Sequence, residues 1–104
     1  GESYKGKVAV GNTILNRVKS PDFPNSVKGV IFDTKYGVQY TPVANNTIYN
    51  TPDQSCINAA KDALSGVNYI GKSMYFYNPK KATSSWISAN RPYYTTIGNH
   101  AFHL

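Results

Sequence analysis

The chain has 104 residues, enough for one independently folding domain. With 40% hydrophobic and 15% charged residues it is too apolar and too weakly charged for a disordered tail, and no run of about 18 apolar residues is present to cross a membrane. Eleven Lys and Arg against five Asp and Glu give a net charge of +6, which favours an anionic partner (nucleic acid, anionic lipid or a wall polymer) without choosing among them.

The opening GESYKGKVAV has no apolar stretch of signal-peptide length. Residues 4–19 predict a helix, because Val8, Gly11, Ile14, Leu15 and Val18 fall on one stripe at helical spacing. Gly11 costs about 1 kcal/mol of helix propensity against Ala, so its place on that stripe points to the close approach of another element. Ser20-Pro21 ends the helix. Asn25 or Ser26 caps a short helix through Val27, Val30, Ile31 and Phe32. The tract from Asp33 to Asn50 has no helical period and reads as loop with short extended pieces.

Thr51-Pro52-Asp53-Gln54 predicts a second main helix, with Thr51 as N-cap, Pro52 in the first turn and Gln54 completing a capping box. Ile57, Ala60, Ala63 and Leu64 form its apolar stripe, and Gly66 stops it. Ser73–Tyr77 predicts a strand, with Met74 and Phe76 on one face and Tyr75 and Tyr77 on the other. Asn78-Pro79 ends it, and residues 93–103 form a second extended segment able to pair with it. The fold class is therefore α+β: two main helices, a short one, a small sheet and long aromatic loops.

Cys56 is the only cysteine, which excludes an intrachain disulfide and a cysteine-rich zinc site. Within its helix it reads as a small buried hydrophobe. His100 and His103 are three apart in a predicted strand and point to opposite faces, which argues against a two-histidine metal pair. No phosphate loop, nucleophile elbow or aromatic-basic pattern of an RNA-binding sheet occurs. Nine tyrosines suit either a core or a carbohydrate cleft, where rings pack on sugar faces and hydroxyls hydrogen-bond. Glu2 is the only glutamate, so a mechanism needing two carboxylates has few candidates. An acidic residue at this place also stabilises the start of a helix.

Several segments, in order and spacing, resemble the SleB/CwlJ family of spore cortex-lytic cell-wall hydrolases. They are GESYKGKVAVGNTILNRV (1–18), DFPNSVKGVIF (22–32), QYTPVANNTIY (39–49), ALSG (63–66), SMYFYNPKKAT (73–83), Trp86 and IGNHAF (97–102). The resemblance implies one catalytic domain over 1–104 with a small lysozyme-like, lytic-transglycosylase-like fold. It implies cleavage of peptidoglycan glycan strands at the β-1,4 bond between N-acetylmuramic acid and N-acetylglucosamine, with 1,6-anhydro ends. Alternatives on the same wall are an amidase acting on the muramic acid–peptide bond and a non-catalytic peptidoglycan-binding module.

A lytic transglycosylase can act with one carboxylate where ordinary glycosidases use two. The resemblance places Glu2 as that acid, within the pattern Gly-Glu-x-Tyr-x-Gly. Family members usually carry another glutamate a few residues earlier, so the acid is either Glu2 or that residue. Gln39, Tyr40 and Thr41, together with Tyr75, Tyr77 and Asn78, are implied sugar contacts, and each group also fits simple packing. Trp86 fits core or sugar subsite, and His100 a structural place. No metal or organic cofactor is implied. The expected partner is peptidoglycan rather than nucleic acid, and the expected state is an exported monomer in cell wall, spore cortex or coat.

Overall fold

The computed structural model describes residues 3–34, Tyr40, 52–81 and 86–104. Helix α1 spans Tyr4–Lys19, as its spacing predicts. Its N-cap is Ser3, whose hydroxyl accepts from the Gly6 N–H at 3.0 Å. Glu2 therefore precedes the cap in sequence and does not supply it. The predicted stripe is only part of what α1 buries: Ala9, Thr13 and Arg17, spaced four apart, form a second buried row, with Asn12 beside it.

Helix α2 spans Val27–Phe32 and is capped by Ser26, which accepts from the Gly29 N–H. Helix α3 spans Gln54–Ser65, and its N-cap is Asp53 rather than Thr51. The Asp53 carboxylate accepts from the Cys56 N–H at 2.8 Å, a stronger acceptor than a hydroxyl two residues earlier. Gly66 ends α3 in the left-handed region at φ 109°, and the Val67 N–H closes back onto the Asp62 carbonyl.

The inward face of α3 also differs from the predicted stripe. Ala59 and Ala63 are buried, Ile57 is half-buried, and Ala60 and Leu64 are exposed. Small size decides this. A Cβ built on Gly11 would stand 3.2 Å from the Ala63 methyl, so the two helices meet where side chains are shortest. Cys56, expected inside, is exposed: it stands in the first turn of α3, ahead of the buried Ala59–Ala63 row.

Strand β1 covers Tyr75–Tyr77. It starts later than predicted because the Ser73 N–H closes a turn onto the Ile70 carbonyl. Residues 93–103 are two strands rather than one: β2, Tyr93–Ile97, and β3, His100–His103, joined at Gly98-Asn99 with Gly98 at φ 58°. A short helix α4, Trp86–Asn90, precedes them.

The sheet is antiparallel in the order β1-β3-β2, with Phe76 opposite Phe102 and Tyr77 opposite Ala101. Helix α1 lies between α3 and the rest. Val8, Ala59 and Ala63 form one small core, and Ala9, Val30, Ile70, Phe76 and Phe102 belong to the larger one. No helix among the described residues is long and apolar enough to cross a membrane.

Candidate functional site

Glu2, Gln39 and Thr41 lie outside the described residues. What the structure fixes is the ground beside them. At the start of α1, the Tyr4 hydroxyl donates to the Asp62 carboxylate on α3. Lys7 Nζ donates to Ser55 Oγ at 3.1 Å and lies 3.9 Å from the Asp53 carboxylate. The first turns of α1 are thereby tied to α3 on polar contacts. The bond to Asp62 pushes the Tyr4 hydroxyl up to about 12, because deprotonation would set two anions face to face.

Tyr40 is held more deeply. Its hydroxyl lies 3.2 Å from Thr13 Oγ1, and its ring centroid lies 5.8 Å from that of Phe76. Burial raises its hydroxyl above the ordinary tyrosine value, while the Arg17 charge and the Thr13 hydrogen bond pull the other way.

Arg17 organises this region. It is 4% exposed, and its Nε donates to the Met74 carbonyl at 2.7 Å. The guanidinium carbon lies 4.5 Å from the Phe23 ring, 5.2 Å from Tyr75 and 5.6 Å from Tyr40. A flat, weakly hydrated cation can stack on several ring faces at once, which an ammonium cannot. Hydropathy hid Arg17. Its signal was its spacing, as the third member of the Ala9, Thr13, Arg17 row.

Tyr75 and Tyr77 lie in one strand two residues apart, yet their surroundings differ. Tyr75 is 5% exposed, with the Arg91 guanidinium 5.0 Å from its ring and Trp86 at 5.9 Å. Its ring is part of the core and offers no open platform. Tyr77 is half-buried beside His103, at 5.6 Å. Asn78 forms a turn, its Oδ1 accepting from the Lys80 N–H.

Trp86 is half exposed and lies at the rim over Tyr75. Arg91, which sequence reading passed over, donates from Nε to the Leu104 carbonyl, and its own carbonyl meets His103 Nδ1. His100 packs edge-on against Phe76. No three His, Cys, Asp or Glu side chains gather to hold a metal among the described residues.

A family profile described as Cell Wall Hydrolase matches residues 1–103. The spore cortex-lytic enzyme of Halalkalibacterium halodurans is 47% identical over 102 residues, which are 98% of this chain and 30% of that protein. The spore cortex-lytic enzyme of Bacillus cereus is 46% identical over 98% of this chain and 38% of its own length. The chain thus spans about a third of the length of these relatives.

Among solved structures, the catalytic domain of the germination-specific lytic transglycosylase SleB from Bacillus anthracis has a TM-score of 0.90 and 45% identity, covering 100% of this chain and 82% of that one. The catalytic domain of Bacillus cereus SleB has a TM-score of 0.87, also at 45% identity, covering 100% of this chain and 78% of that one. With the α+β fold shared throughout and the family profile running from the first residue to His103, this chain belongs to the cell wall hydrolase family.

Proposed function

We propose that residues 1–104 form a catalytic domain that cuts peptidoglycan glycan strands of spore cortex or a related wall, as a lytic transglycosylase. The observation that carries this reading is the likeness, over the whole chain, to a catalytic domain named as a lytic transglycosylase. The place of action would be outside the cytoplasm, on the cortex that the curated relatives are named for.

In the proposed mechanism Glu2 is the acid. Its carboxyl protonates the leaving glycosidic oxygen as the bond to muramic C1 breaks. The resulting carboxylate then takes the proton from the muramic C6 hydroxyl, and that oxygen closes on C1. The product is a 1,6-anhydro sugar, no water is consumed, and the acid is restored. Glu2 directly precedes the Ser3 cap of a helix whose first turns are tied to α3, a firm base for a proton donor.

Gln39, Tyr40 and Thr41 are the proposed contacts beside the scissile bond, with buried Tyr40 as the anchor of that segment. Tyr77 and Asn78 are proposed contacts further along, with Tyr75 supporting them from within the core. Mass spectrometry of digested cortex is the test. Anhydro-muramic ends support the reading. Reducing ends alone would make the enzyme a hydrolase, and released peptides an amidase. Binding to the wall without cleavage would leave a recognition module.

A further inference from the structure

We propose that the depression between the last turn of α1 and the 68–74 turn binds a short peptide carrying free carboxylates, at a place apart from the residues proposed to cut the glycan. The depression has a volume of about 540 Å³. Asn16, Lys19 and Ser20 form one side, and Asn68, Lys72 and Met74 line it from the turn. Asn16 lies twelve residues after Tyr4 in α1, roughly 18 Å along the axis at 1.5 Å per residue. One sugar unit could not occupy this depression and the start of α1 together.

Its chemistry is that of an anion site with an apolar wall. Lys19 and Lys72 are both exposed, and neither pairs with a carboxylate among the described residues. Lys19 has a local reason to be basic, since it stands at the carboxyl end of α1. Lys72 has none, because it projects from a turn. Ser20 Oγ accepts from the Asp22 N–H, which leaves its hydrogen for a ligand, and no acid among the described residues lines the depression. Met74 and the lysine stems add carbon surface.

The floor is rigid. Asn16 Nδ2 donates to the Gly71 and Ser73 carbonyls, both at 2.9 Å, and Asn68 Nδ2 donates to Gly71 as well. Gly71 is left-handed at φ 57°, and a Cβ there would stand 2.9 Å from the Tyr94 hydroxyl, so the turn is pinned from below.

The choice of a peptide rests on Asn16. Its Nδ2 is spent on two carbonyls, while its Oδ1 accepts no hydrogen bond from the described residues. That oxygen suits an amide N–H. A peptide with free carboxylates supplies the anion, the N–H and aliphatic side chains together. A polyol phosphate chain supplies the anion but no amide. The inference rests on the peptidoglycan reading above, because that polymer carries such peptides as stems.

The test is a titration of the ¹⁵N-labelled chain with a soluble stem tripeptide bearing free carboxylates. Its fully amidated form and glycerol phosphate are titrated in parallel. Saturable shifts at Asn16, Lys19, Gly71 and Lys72 are expected for the free peptide and not for the amide. Lys72→Gln should weaken that binding roughly tenfold, the size of one lost charge-assisted hydrogen bond, while Lys61→Gln on α3 leaves it unchanged.

No saturable shift, an equal response to the amidated peptide, or tighter binding of glycerol phosphate would overturn the proposal. In a parallel turnover assay, Lys72→Gln should slow cleavage only of strands that retain their stems. Wild-type protein that cuts neither stemmed nor bare strands would overturn the cleavage reading, and the titration would still decide the peptide site by itself.

Discussion

The guanidinium of Arg17 lies 5.6 Å from the ring of Tyr40, joining α1 to the middle residue of Gln39-Tyr40-Thr41. The same group reaches Phe23, Tyr75 and the Met74 carbonyl. Arg17→Lys keeps the charge but loses the flat stacking surface and the fixed Nε–H, so stability should fall by about 2 kcal/mol. Urea unfolding of the two proteins measures it. A variant as stable as wild type would show that the stacked geometry contributes little.

Tyr40 itself predicts an alkaline effect. Burial raises its hydroxyl above the ordinary 10.0, so the folded state holds that proton more tightly than the unfolded chain does. The associated stability is complete below the unfolded value and is lost as pH rises through the higher folded one. Tyr40→Phe removes this sensitivity along with the contact to Thr13. The variant should be less stable than wild type at pH 9, and the gap should narrow at pH 11. A gap of constant size would contradict the burial argument.

Glu2→Gln removes the transferable proton and keeps the shape. General acid catalysis typically contributes about 10²–10⁴ in rate, so cortex clearing should nearly vanish while wall binding persists. The measurement needs protein that is itself active. Substantial turnover by the variant would remove Glu2 as the acid.

Asp53 predicts an acid-side effect of opposite sign. The Cys56 N–H is the main cause holding its carboxyl below the ordinary value, with Lys7 adding to it. Its contribution is present above the unfolded value and lost as pH falls through the lower folded one. Asp53→Ala should lower the thermal midpoint by a few degrees at pH 7. That difference should fade toward pH 3 in thermal scans, and Asp53→Ser should recover part of it.

Cys56 is exposed, yet its thiol is pushed up, chiefly by its hydrogen bond to Asp53 and then by burial and the Asp53 charge. Only the thiolate reacts. Alkylation at pH 8 should therefore be slower than that of an unstructured peptide thiol, and Asp53→Asn should speed it. Equal rates in the two proteins would remove Asp53 as the cause.

Much of the fold was legible because it is local. The limits of α1, the Ser26 cap and the Gly66 stop depend on neighbours within one turn, and sequence shows those directly. The Gly11 contact was legible in kind, since a glycine on an apolar stripe has few other uses, although Ala63 as its partner was not. Other features depend on distant partners. Asn12 and Arg17 are buried and Asn16 half-buried because carbonyls of Val67, Gly71, Ser73 and Met74 receive their hydrogens, more than fifty residues away.

Hydropathy alone would place those side chains in water. Thr51 was read as the cap of α3, and the geometry of the first turn gives that place to Asp53. At the candidate site, alternation correctly put Tyr75 and Tyr77 on one face of β1. It could not show that Arg17, Arg91 and Trp86 cover the first and leave the second half open.

The sheet order carries a consequence for how the chain is made. Strand β3 is central, so neither neighbour has a ladder without it. The β2–β3 hairpin closes across two residues, but β1 must find β3 beyond the whole segment that carries α4. Pairings of that kind form late. On the ribosome the Tyr75–Tyr77 strand emerges with nothing to pair with until His100–His103 have left the exit tunnel. For that interval a short aromatic strand with open edges is presented to whatever chaperone stands nearby.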